Sequence, residues 1–251
     1  MKHYNYLIAI CLFMFMWTVH TEAKYSVDLP NNKITPSKGE NATSMFVKNE
    51  GNSFYAIEII VKRRKTNRQG EEILIDTDKL VVVPSQLIVK PLSEQIVNLE
   101  WIGAPLEYEK GYRILVDQLP IDLNAGQKNR KMLTTVLNYK RAFYVLPDKR
   151  TSKLSLTSAK PKVLKKQKSI SVTISNTGTA RERLNRLTLS IPVPGTSERE
   201  DITLELKDSL DEVAATSPFI YLFPKDILKL NFPWPEELEY KKHNFKLKSW
   251  K

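Results

Sequence analysis

Along most of this chain, short apolar runs alternate with polar residues at a period of two and stop at Gly, Pro, Asn or Asp. Successive residues of a β-strand point to opposite faces, so this rhythm predicts strands separated by turns. In the first half the runs cover 24–29, 44–48, 54–63, 73–75, 80–83, 86–89, 94–101, 111–119 and 131–145. Asn49-Glu-Gly-Asn52 and Asn67-Arg-Gln-Gly70 are turn sequences between pairs of them. No long stretch carries helical spacing. About seven or more strands in roughly 120 residues predict an antiparallel sandwich of immunoglobulin type.

After Pro147 the pattern breaks at Asp148-Lys-Arg-Thr-Ser-Lys153, a polar connector that reads as a hinge. Strands then resume at 154–156, 170–175, 184–191, 202–206, 219–223, 227–232 and 244–250, with Asn176-Thr-Gly178 as a turn. The expected fold class is all-β, with two immunoglobulin-like β-sandwich domains over residues 24–148 and 149–251.

The run 131–145 departs from simple alternation. Leu133, Thr135, Leu137, Tyr139, Arg141 and Phe143 share one face; Met132, Thr134, Val136, Asn138 and Lys140 share the other. Residues 132–137 thus offer apolar side chains to both faces, which a half-exposed strand does not do. One face can serve this chain's own core. The other needs a cover, from a neighbouring element or from a partner chain.

The N-terminus reads as a secretory signal peptide ending at about Ala23. It has Lys2, an apolar run over 6–19, and small residues near the cleavage position. That run is shorter than the roughly 20 residues needed to span a bilayer, so no stable membrane insertion is expected. The single cysteine, Cys11, lies inside the run, so the exported chain would fold without disulfides.

The net charge of +11 is spread over 62–65, 160–168 and 241–242 rather than gathered on one helix. It reads as solvated edges and turns, and a nucleic-acid role is not expected. Catalysis is not expected either. His3 and His20 fall within the signal segment and leave only His243; the eight glycines are scattered, without a phosphate-cradling loop. Asp76 and Asp78 lie beside a turn and read as its solubilising residues. No cofactor and no metal is expected.

Four segments, in order, carry a family likeness: Val83-Pro-Ser-Gln-Leu-Ile-Val-Lys-Pro91 with Glu94 to Val97 and Trp101; Tyr112-Arg-Ile-Leu-Val-Asp-Gln-Leu-Pro120; Ser175-Asn-Thr-Gly178 with 184–187; and Tyr221-Leu-Phe-Pro224 before 228–233. With them the chain resembles the periplasmic pilus-assembly chaperones of the chaperone/usher pathway, the PapD-like proteins, and most closely their archaic branch. It departs in having Leu92 and Ser93 where many relatives place Gly, and in a lysine-rich second domain.

The resemblance implies a periplasmic, ATP-independent chaperone with a pilin-like subunit and an outer-membrane usher as partners. The free chain could pair with itself through its exposed strand. Residues 131–139 would be lent to complete a subunit that lacks a strand, the donor-strand mode of recognition. Aligning Leu146-Pro147 with the family's strand-ending proline turns odd positions outward, so Leu133, Thr135 and Leu137 form the donor face, with Met132 and Val136 in the core. The resemblance also implies a cationic anchor for the subunit's terminal carboxylate. Lys33 would supply the first charge and Lys140 or Arg141 the second. Read from its residues alone, the chain also suits a secreted surface or adhesion protein that binds through loops.

Overall fold

The structure is a computed structural model and describes residues 25–121, 137–193 and 195–250. The first domain contains β1 (Tyr25–Asp28), β2 (Lys33–Ile34), β3 (Ala42–Asn49), β4 (Tyr55–Thr66), β5 (Glu72–Asp76), β6 (Leu80–Val83), β7 (Gln86–Val89), β8 (Ser93–Trp101), β9 (Lys110–Gln118) and β10 (Asn138–Val145). One sheet has the order β1-β3-β8-β6. The second runs β2-β10-β9-β4-β5, with β7 also pairing with β4. Pairing is antiparallel except for β2 with β10.

Alternation decides what lies between the sheets. On β4, β9 and β10 the inward positions are Ile57 and Ile59, then Tyr112, Ile114 and Val116, then Phe143 and Val145, all buried. Met45, Val47, Val97 and Leu99 meet them from the opposite sheet in one contiguous core. Buried Asn49 closes one end of this sandwich. Its Nδ2 donates to the carbonyls of Ser53, Val89 and Lys90, and its Oδ1 accepts from the Gly51 amide. These bonds satisfy backbone groups that burial would otherwise leave unpaired.

The second domain contains β11 (Leu154–Leu164), β12 (Gln167–Asn176), β13 (Glu182–Leu184), β14 (Arg186–Pro192), β15 (Arg199–Glu205), β16 (Ile220–Leu222), β17 (Ile227–Pro233) and β18 (Lys246–Trp250). Their order is β11-β12-β17, β13-β16 and β15-β14-β18, around a core of its own. The lysine-rich 160–168 segment proves to be mostly strand. β11 runs on to Leu164 and turns back through Lys165 and Lys166, both at positive φ (50° and 65°), the backbone of a two-residue hairpin loop. The 184–191 run divides in two, β13 and β14, which join different sheets.

The connector does not behave as a free hinge. Tyr144 and Leu146 at the end of β10 pack on Phe223 of the second domain, with Ala142 and Tyr221 at the margin. Gly111 on β9 permits this approach, since a Cβ there would lie 2.4 Å from the Phe223 ring. The β4–β5 turn also crosses over: the Thr66 amide donates to Asp226, the Thr66 hydroxyl to the Tyr221 carbonyl, and the Lys229 amide to the Arg68 carbonyl. Beneath them the fully buried Glu109 carboxylate accepts from Arg150 of the connector at 3.0 Å and from Arg181 of the second domain.

Candidate functional site

The side of the second sheet that faces away from its core forms one wall of the interdomain cleft. Three strands place cations there by alternation. Arg64 sits on β4, Arg113 on β9 opposite Lys62 of β4 and Ala142 of β10, and Lys140 on β10 opposite Leu115 of β9. The three side chains converge on the carboxylate of Glu72, which sits on the edge strand β5. Arg113 holds it in a fork, Nη2 at 2.6 Å and Nε at 3.0 and 3.1 Å from the two oxygens. Lys140 Nζ lies 2.6 Å from Oε1, and Arg64 Nε lies 2.5 Å from Oε2.

Burial pushes the Glu72 carboxyl up, but the bonds from Arg113 and Lys140 and the charge of Arg64 outweigh it and hold the group down at about 2. Burial and the neighbouring Arg113 charge lower Arg64 from its ordinary value. The second domain supplies the facing wall with aromatic rings. Arg64 Cζ stands 5.2 Å from the Tyr221 ring centre and 5.5 Å from that of Phe223, while Arg181 Cζ stands 3.5 Å over Tyr144. Cations over ring faces in a partly desolvated cleft are favourably placed.

Of the three expected anchor cations, the structure brings two to this wall. Lys140 is in it. Lys33 is exposed on β2, register partner of Tyr144, and its neighbour Ile34 is buried in the core, so Lys33 belongs to the cleft face at the sheet's edge. Arg141 is a correction: it points the other way, donating from Nη2 to the Val27 carbonyl of β1 at 2.5 Å. Strand alternation allows only one of two adjacent residues to face the cleft.

The donor face also needs a correction of direction. Odd positions of β10 turn toward the first domain's core, not away from it. Leu137 and Tyr139 are half-buried on the end of that core, and Phe143 and Val145 are within it. Tyr25 and Tyr139 rings meet edge-on 5.1 Å apart, and the Tyr25 hydroxyl donates to the Leu137 carbonyl. Leu133 and Thr135, with Met132 and Val136, lie outside the described residues.

The sequence reading passed over Glu72, Arg64 and Arg113, treating 62–65 as a solvated edge. A signal was available. Arg113 interrupts the apolar run 112–116, and Lys62 and Arg64 are spaced by two on the face opposite Ile57 and Ile59. Their meeting with Glu72, however, depends on strand order.

β10 has one further property. It pairs with β9 over its whole length, but on its other side β2 reaches only Tyr144 and Val145. Among the described residues, the edge from Asn138 to Phe143 has no strand partner.

The family described as pili and flagellar-assembly chaperone, PapD N-terminal domain, matches residues 26–150. Among curated proteins no relative matches. Three solved structures share the two-domain fold at low identity. One is from a chaperone–tip adhesin complex of CFA/I fimbriae biogenesis (15% identity, TM-score 0.55, 91% of this chain and 100% of that one). Another is from the CsuC–CsuE chaperone–tip adhesion subunit complex of the archaic chaperone–usher Csu pili of Acinetobacter baumannii (14%, 0.54, 90% and 98%). The third is the class 5 fimbriae chaperone CfaA (14%, 0.53, 90% and 99%). The two sandwiches, the edge strand and the match over the whole first domain lead to one conclusion: the chain belongs to the PapD-like pilus-assembly chaperones.

Proposed function

We propose that this chain is a periplasmic chaperone that completes pilus or fimbrial subunits with residues 131–139 and delivers them to an outer-membrane usher. The open edge of β10 carries the reading. Its free backbone donors and acceptors are what an incomplete sheet would pair with, and an edge left bare is otherwise a route to aggregation. The CFA/I and Csu structures are complexes of a chaperone with a tip subunit, the class of partner proposed here.

The direction of β10 suggests how side chains contribute. Because odd positions share the face of the core, Leu133 and Thr135 would carry that face past the end of this chain's own sandwich, with Leu137 at the junction. A subunit missing a strand would then continue the same apolar layer. Backbone bonds would give sequence-tolerant affinity, and alternating side chains would set the register. Lys33 and Lys140, on the opposite face, would hold the subunit's terminal carboxylate, a contact that desolvation in the cleft would strengthen. Release needs no nucleotide if another subunit's own extension displaces the lent strand.

Co-expression of candidate subunits with the chain, and with Leu133→Glu/Thr135→Glu, tests this. The expected result is a fall of about tenfold or more in subunit recovered from the periplasm, since two carboxylates in an apolar groove are costly. Equal recovery with both chains would refute strand donation. Leu137 is left intact because it also supports this chain's own core.

A further inference from the structure

Glu72 holds the place in the cleft that a ligand carboxylate would take. Among the described residues it is the one carboxylate in contact with Arg64, Arg113 and Lys140, and those cations come from three different strands. A structural ion pair needs one partner. Three cations against one carboxylate leave the wall positive, which favours a further anion. The bonding is also incomplete: Arg64 Nε is buried and lies 2.5 Å from Glu72, yet it makes no directed hydrogen bond. The N–H is not aligned on the Glu72 oxygen, so a carboxylate arriving from another direction could use it.

Glu72 is also free to leave at modest cost. β5 is the outermost strand, pairs only with β4, and follows directly on the turn that ends at Glu71. A glutamate side chain spans only about one strand spacing, so it is the longer side chains of Arg113 and Lys140 that come across the sheet to Glu72. An empty site is unfavourable because Arg64 and Arg113 repel one another at this range, as the lowered Arg64 reflects.

We infer that Glu72 is a resident stand-in for the ligand: in the free chain it neutralises Arg64, Arg113 and Lys140, and a subunit's terminal carboxylate binds by taking its place. The inference rests on the carboxylate-anchor part of the proposed function. Exchange of one carboxylate for another leaves the number of ion pairs unchanged, which lowers the net affinity of the anchor and eases release. A self-occupied site weakens apparent binding by the fraction of time it is closed.

The test uses the full chain and Glu72→Gln. The probes are a short N-acetylated peptide of alternating threonine and valine with a free terminal carboxylate, and the same peptide closed as its amide. Binding is followed by the Nε–H resonances of Arg64 and Arg113. The expected result is that Glu72→Gln binds the acid peptide about tenfold tighter than the natural chain does, with the amide unchanged. If both chains prefer the acid over the amide by the same factor, the anchor stands and the stand-in role of Glu72 is overturned. If neither chain distinguishes acid from amide, the anchor reading itself fails and takes this inference with it.

A second reading needs no variant. When the natural chain is saturated with the acid peptide, the Glu72 carboxyl should titrate like an exposed glutamate. Titration unchanged from the free chain would show that Glu72 never leaves, and would overturn the inference even if Glu72→Gln failed to fold.

Discussion

Two carboxylates, Glu109 and Glu72, are each gripped by cations at the border between the domains, and they do different things. Glu109 is completely buried, and its partners belong to the connector and the second domain. Its bonds therefore tie separate bodies together, and the Glu109 amide adds a bond to the Thr179 carbonyl. The Glu72 side chain is 20% exposed, and all its partners lie on the sheet that carries it. Its bonds join nothing that the sheet does not already join. The same chemistry is a clamp where it bridges two bodies in the dry interior, and an exchangeable occupant where it lies open on one sheet.

The largest effect should come from breaking the clamp. Glu109→Gln leaves Arg181 and Arg150 without their shared counter-charge and should cost about 3 kcal/mol or more. Urea unfolding would measure the loss, and small-angle scattering would show the domains separating. If the variant unfolds as the natural chain does, the clamp is not what holds the domains. Next comes the interface above it: Gly111→Ala puts a methyl into the Phe223 ring and should cost about 1 to 3 kcal/mol, with the same change in scattering.

Glu72→Gln should cost less, about 1 to 2 kcal/mol at neutral pH, because the glutamine oxygen can still accept a bond and the partly exposed site lets water reach the cations. It should leave the scattering profile unchanged. Its pH dependence sharpens the contrast. A carboxyl lowered from 4.5 to about 2 contributes fully above its unfolded value and loses that contribution as pH falls toward its folded value. The stability difference between the natural chain and Glu72→Gln should be level above about pH 5 and vanish near pH 2. A difference that persisted at pH 2 would mean that charge is not its source. Smallest of all, Lys140→Gln should cost under about 1 kcal/mol in stability, since its side chain is half-exposed. Its effect belongs to carboxylate binding instead.

Much of the fold was legible because it is written in alternation. The runs 80–83 and 86–89 coincide with β6 and β7, and most other runs differ from their strands only at the ends. β2 was missed because two residues carry no periodicity; it exists only by pairing with β10. β11 was foreseen too short because its lysines, which suggest a solvated turn, sit on a half-exposed strand. At the site, Lys140 and Arg141 were both offered by the family resemblance, and they were separable only once the inward face of β10 was known. Glu72 gave no local sign, since one Glu beside a turn looks like any other.

By itself the sequence determined strand content and two sandwiches with separate cores, because period-two alternation and turn residues are local properties of the chain. Tertiary structure alone decided which side of β10 is the core side, which of two adjacent cations faces the cleft, and that Glu72 meets Arg64, Arg113 and Lys140. Those depend on strand order and on contacts between residues distant in sequence, which no local pattern records.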